Sequence, residues 1–464
     1  MPEPPAIDNH HSASFNGGPS ATSEAAGDEL PPSDGDPQVE FSWRAVIVMI
    51  YLPNLLVNVG FCMLPPVLPL FAKVELGCSD AVVGLVVASN GFGQFFFNLP
   101  AGAVVTAVGI RATMLLGLLI LAASGLMAWG SVGVVTLIGA TVVRGIGVAT
   151  WQTARMSFIA GWVPRETNGK VNSFMGGVMR LANVLGPAMG GVLVTRFNMR
   201  VVFLAAALFT IPAALVILLT MPHINPVKKK SKGGCGSETS ATLVEHAFTF
   251  LTAGAFCFSC VMVRTSRTLL LPLQGHEMGL RVDRISYLIS ASYTAELFLF
   301  WISGLIMDRY GRKWCAVPAN ITMGLGLILL PMTQTYAQLM GAAMCFGVGS
   351  TLGSGIVQTL TTDFTPAASG KNEFLGIFRS ITKLGTLLGP VVTGGLAEVS
   401  LLMAGLVQGG LAIVGGVWAA GMMYETLPST DSDGQGAGDF VELETRPDLE
   451  AGSSGECSGE AKGH

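Results

Sequence analysis

Seven basic side chains lie inside long apolar stretches of this chain: Arg144, Arg155, Arg180, Arg264, Arg267, Arg379 and Lys383. One acid, Glu296, lies in a stretch of the same kind. An ionised group removed from water is costly, so such a position points to function by default. One carboxylate cannot pair with seven cations. Some of them must face a wet cavity, a helix end or an anion, and the excess favours an anionic or zwitterionic solute.

The spacing adds detail. On a helix Arg144, Trp151 and Arg155 project onto one face, with Gln152 beside them. That face is a candidate substrate site. The competing reading has Arg155 snorkelling to a membrane surface and Trp151 merely packing. Arg264 and Arg267 are three residues apart and could grip a carboxylate or phosphate with paired donors; alternatively they snorkel, or pair with Glu277 or Asp283. Glu296, one turn from Ser292, suits proton uptake and release, or else forms a structural ion pair with an arginine. Asn54 and Asn58, also a turn apart, offer amides to a solute or to a neighbouring helix. Gln94 and Gln358 are weaker candidates.

Enzyme chemistry has no foothold. No Ser/His pair, paired carboxylates or metal-ligand cluster sit together. Cys257 and Cys260 form a C-x-x-C without a His or second pair, which reads as helix packing. No metal, cofactor or nucleic-acid partner is expected. No phosphate-binding G-x-x-x-x-G-K-S/T loop appears, so any pumping must draw on a gradient.

The elements that position these groups follow from composition. The chain is 50% hydrophobic and 12% charged, about half the ~25% charge of a soluble domain. Lipid is therefore the expected solvent, and an all-α membrane protein the expected fold class. Twelve apolar segments reach the ~20 residues needed to span a bilayer: 44–66, 81–105, 112–130, 133–161, 171–195, 200–221, 247–271, 285–307, 314–333, 336–361, 372–397 and 400–423. Around them lie an acidic tail (1–43), a Lys-rich linker (222–246) between six-helix bundles 44–221 and 247–424, and a second acidic tail (425–464). The tails have the composition of disordered chain.

Orientation follows the Lys/Arg bias of the loops. One side would carry Arg44, Arg111, Arg165, Lys170, Lys228, Lys229, Lys230, Lys232, Arg309, Arg312, Lys313 and Lys371; the other only Lys73, Arg196, Arg200, Arg281 and Arg284. Both termini are therefore expected in the cytoplasm, in the plasma membrane or an organelle membrane. The protein is expected as a monomer in the lipid bilayer, moving a small-molecule solute with protons as the candidate coupling ion.

The two bundles repeat. A shift of 202 residues maps Gly77 on Gly279, Gly102 on Gly304, Gly109 on Gly311, Arg111 on Lys313, Gly145 and Gly147 on Gly347 and Gly349, and Pro164 on Pro366. A shift of 203 maps Gly186-Pro187 on Gly389-Pro390, and also Arg180 on Lys383, with Arg379 one turn before it. Such duplication marks transporters with a site between the halves.

With these features the chain resembles the major facilitator superfamily over about residues 44–425, nearest in motifs to its drug–proton antiporter-like branch. The family's loop motif G-x-x-x-D-R/K-x-G-R/K-R/K is matched by Gly304, Asp308, Arg309, Gly311, Arg312 and Lys313. The first-half copy keeps Gly102, Gly109 and Arg111 but has Thr106 in place of the acid. The fifth-helix signature ends in Gly186, Pro187, Gly190 and Gly191, and helix 11 keeps Gly385, Gly389 and Pro390. The resemblance implies two six-helix bundles rocking around a central cavity lined by helices 1, 4, 7 and 10. It implies secondary transport by alternating access, with the 304–313 loop as a gate. Two alternatives remain: a multidrug–proton exporter, or a transport-inactive receptor or scaffold.

Overall fold

The computed structural model describes residues 42–221, 244–364 and 371–423. The expectations for both tails and for the lysines of the linker lie outside them, and so do the side chains of Arg165, Asp308, Gln358 and Lys371.

Twelve long helices account for the described chain. The first half holds α1 (Trp43–Glu75), α2 (Asp80–Val108), α3 (Ile110–Trp129), α4 (Val134–Trp162), α5 (Arg165–Arg196) and α6 (Met199–Thr220). The second holds α7 (Ala247–Glu277), α8 (Val282–Tyr310), α9 (Lys313–Met332), α10 (Tyr336–Asp363), α11 (Lys371–Ala397) and α12 (Leu401–Met422). Eleven helices are apolar and long enough to cross a membrane. The other, α11, has 27 residues and carries Arg379 and Lys383. In lipid a helix is favoured because it satisfies every backbone donor within the segment. The side chains left outside fit that solvent: Leu99, Val132, Phe298 and Trp301 are all more than 70% exposed.

Several helices outrun the apolar segments. The first continues to Glu75 rather than 66, and the seventh to Glu277 rather than 271. Polar residues at a helix end reach water at the membrane surface, so apolarity alone underestimates length.

The internal repeat appears in the backbone. Among the described residues the glycines with positive φ are Gly77 (65°), Gly279 (71°), Gly109 (93°) and Gly311 (107°). They form two pairs at the 202-residue shift, in turns that side chains with a Cβ rarely adopt. A wide π turn occupies Ile47–Tyr51 in α1 and Phe250–Gly254 in α7, again one repeat apart.

Successive helices alternate in direction, so the described chain begins and finishes at one end of the bundle, here the tail end. The loops at 76–79, 278–281 and 398–400 lie at the far end. The halves meet along two seams, α2 against α11 and α5 against α8. At the far end the first seam is backbone on backbone. A Cβ on Gly84 would come within 2.5 Å of the Pro390 carbonyl and 2.8 Å of Gly394 Cα. Towards the tail end α4 and α5 share no extensive packing with α10 and α11 among the described residues. The halves are thus shut at the far end and apart at the tail end.

The Gly-Pro signatures lie within each half. A Cβ on Gly186 would meet Cys62 of α1 at 2.5 Å, and one on Gly190 would approach Met63. Gly385 and Gly389 hold α11 equally close to Phe258, Met262 and Thr265 of α7. Small residues let helix backbones approach. Gly191 differs, since it faces Ser286 and Tyr287 of α8 across the second seam.

Candidate functional site

Two polar groups of side chains lie at mid-depth. The first occupies a cleft inside the first half, walled by α1, α3, α4 and α6 and enclosing about 740 Å³ of empty space, its open mouth included. Arg144, Trp151, Gln152 and Arg155 of α4 and Asn58 of α1 all line it. The stripe read from the sequence therefore faces one cavity. That cavity lies within a bundle, whereas the duplication pointed to the boundary between bundles.

Arg155 is 6% exposed and does not snorkel; its Nη1 donates to Asn54 Oδ1. Asn58 Nδ2 donates to the same oxygen at 2.9 Å and to the Asn54 carbonyl at 2.7 Å. Asn54 is fully buried and so supports the site from behind. Arg144 donates from Nε to Asn90 Oδ1 at 3.4 Å and lies 4.9 Å from the centre of the Phe61 ring. Two polar atoms of this cleft are buried without a partner, Trp151 Nε1 and Arg155 Nε.

The second group joins α7, α8 and α10. Arg267 Nη1 bonds Glu296 Oε1 at 2.7 Å, and its Nη2 reaches Ser292 Oγ. Its guanidinium also lies 4.6 Å from the Tyr293 ring and 4.9 Å from Phe346. Ser350 Oγ donates to the other oxygen of Glu296 at 3.3 Å. Of the alternatives open for Glu296, the structure shows the ion pair. Arg267 turns inward to it and not to Glu277 or Asp283, and Asp283 instead pairs with Arg281 at 3.3 Å. Arg264 shares a helix face with Arg267 but has another partner, the Ser350 carbonyl at 2.5 Å, while its Nε is buried and unpartnered.

The repeat-related Arg180 and Lys383 each reach across a seam. Arg180 of α5 stacks 3.6 Å over the Phe300 ring of α8, within Coulombic reach of Glu296 and Arg264. Lys383 of α11 donates to Gln94 of α2 at 2.8 Å. Arg379, one turn nearer the tail end, is exposed. In the loop motif, Arg312 donates to the Met307 carbonyl at 3.1 Å, Lys313 reaches the Ala420 carbonyl at 3.4 Å, and Arg309 lies beside Tyr310. Gly304 has open space around it.

One residue at the far end escaped the sequence reading. Glu398, just past α11, accepts from the Ala81 backbone N–H at 3.0 Å and so caps α2 across the first seam. That N–H, with help from the Ser79 side chain, holds its carboxyl below the usual range. Lys73 and Asp80, paired at 2.5 Å, flank it. The only signal was an acid in a segment holding few acids; the partner is more than 300 residues away. A depressed carboxyl favours the capped state above its pKa, and that contribution is lost as pH falls through it. Acidifying the far side below the normal glutamate range should open this end, and Glu398→Gln should remove the pH response. Distances between spin labels across the seam at several pH values measure both.

Among the described residues no cluster of His, Cys, Asp or Glu could hold a metal. Cys257 and Cys260 are buried free thiols.

Comparison with known proteins agrees with this architecture. The model of the Major Facilitator Superfamily matches residues 51–269 and 254–447. The chain is 22% identical to an uncharacterised MFS-type transporter of Methanocaldococcus jannaschii, over 76% of this chain and 91% of that one. It is 23% identical to Multidrug resistance protein 1 of Bacillus subtilis, over 77% and 91%. The crystal structure of the nucleoside transporter NupG superposes with a TM-score of 0.66 at 15% identity, over 80% of this chain and 99% of that one.

Proposed function

The chain belongs to the major facilitator superfamily and is a secondary membrane transporter of that type; from this premise we propose that it carries a small anionic or zwitterionic organic solute by alternating access. One observation carries the choice of solute. Arg144, Arg264 and Arg267 lie in the two polar groups at mid-depth, and among the described residues there Glu296 is the one acid that opposes them. Glu296 is already bonded to Arg267 and Ser350. Arg144 and Arg264 sit where low polarity strengthens the pull of a guanidinium on an anion. The Lys/Arg bias of the loops supports a cytoplasmic tail end, and on that reading this conformation is open to the cytoplasm. Glu296 is the candidate site of proton coupling.

The test is uptake by purified protein in liposomes, with radiolabelled carboxylates, amines and uncharged sugars of similar size, with and without a pH gradient. Carboxylates or amino acids are expected to accumulate and amines not. Accumulation of amines alone would reject the solute class.

Similarity to Multidrug resistance protein 1 supports a second reading, drug–proton exchange. Glu296 would then have to serve both drug and proton while bonded to Arg267. pH-driven ethidium export that survives Glu296→Gln would remove that carboxylate as coupler.

A further inference from the structure

The cleft of the first half is elongated along α4. On α4 its lining runs from Ala140 to Arg155, which at 1.5 Å per residue is about 22 Å. Polarity is graded along it. Asn58, Trp151, Gln152 and Arg155 lie towards the tail end. Leu68, Ala128, Ala140 and Phe203 wall the far part together with Ser124 and Thr141, each no more than 6% exposed, and both hydroxyls donate to backbone carbonyls of their own helices. Arg144 stands between the two parts. Asn58, Phe61 and Gln152 are only partly buried.

At the polar end two donors have no partner. Trp151 is 2% exposed and Arg155 is 6% exposed, and neither Trp151 Nε1 nor Arg155 Nε makes a hydrogen bond. A buried donor left unbonded is rare and costly, so each marks where an acceptor belongs. Two donors one turn apart, one of them cationic, call for an acceptor-rich anionic head. The slot, whose few hydroxyls are already bonded to backbone carbonyls, calls for a hydrocarbon body.

We propose that this cleft binds an amphipathic organic anion, its head held by Trp151 and Arg155 and its apolar body laid along α3 and α6 towards Leu68 and Phe203. The proposal rests on the anionic reading of the solute and narrows it to molecules with a substantial hydrocarbon part. Trp151 and Arg155 are binding residues that touch the head, and Val148 and Ala206 bound the slot.

The experiment is calorimetric titration of the full chain in lipid nanodiscs with straight-chain carboxylates from acetate to octanoate, against empty nanodiscs. Burial of each methylene should raise affinity about threefold to fourfold. Val148→Phe, which fills the slot, should abolish that dependence. Should that variant not fold, Ala206→Leu takes its place. Trp151→Phe keeps the ring and removes only the unpartnered N–H. It should weaken every carboxylate about tenfold with no fall in melting temperature. A fall in melting temperature at unchanged affinity would make that N–H structural and overturn the assignment of the head. Affinity that is flat with chain length, while carboxylates still bind, would overturn the slot and leave the anionic reading standing. Alkylamines that bind in place of the carboxylates would overturn both.

Discussion

Arg267→Ala should cost the protein about 3–5 kcal/mol of stability, because it leaves Glu296 charged and unpaired in a dry site. Both partners are close to fully buried, with side chains 4% and 11% exposed. Arg267 also serves Ser292 and lies against two aromatic rings. Loss of transport in this variant alone would be ambiguous, since the protein would be poorly folded. The informative variant is the double change Arg267→Met with Glu296→Gln. Replacing a whole buried pair with neutral groups of similar size is often close to neutral. Most of the stability should return, while transport should stay absent if the pair works in the cycle. Thermal unfolding and liposome uptake, measured on both variants, separate these effects. Full transport by the double variant would reduce the pair to a structural contact.

Arg144 should behave in the opposite way. Its one hydrogen bond among the described residues, to Asn90, is long and to a neutral acceptor, and the residue is only partly buried. Arg144→Ala should therefore change the melting temperature little. A charged hydrogen bond to solute is worth about 1.5–3 kcal/mol, so affinity for the transported anion should fall by about 10- to 100-fold. Arg144→Lys keeps the charge but loses the planar fork, and should recover only part of that affinity. Equilibrium binding of the best carboxylate to the three proteins is the measurement. Equal affinity in all three would place Arg144 outside the solute path.

The legible part of this molecule was whatever a helix or a repeat encodes locally. Apolar length marks the helices, and the glycine offsets anticipate the paired turns at Gly77 and Gly279 and at Gly109 and Gly311. Helical spacing also placed Arg144, Trp151, Gln152 and Arg155 on one face. A helical wheel names a face but not the neighbour it meets. Hence the cleft was not assigned to the first half, and the partner of Arg267 stayed open among three acids. Phe61, Asn90, Tyr293 and Ser350 were missed for the same reason. Such residues are common in apolar helices, and only tertiary packing brings them to a guanidinium. Glu398 belongs with them, since its partner lies in the opposite half.

Glu398 also makes the two seams unequal. Its counterpart under the 202-residue shift is Arg196, a base at the far end of α5. The duplicated halves therefore carry opposite charges at equivalent corners of the same surface. Acid on that side discharges the α2–α11 corner and leaves the guanidinium of the α5–α8 corner as it was. Opening would then resemble a book more than a pair of sliding doors, with one edge released first and the other serving as the spine. A protein built from two copies of one bundle would in this way acquire a direction of swing that its pseudo-symmetry alone does not contain.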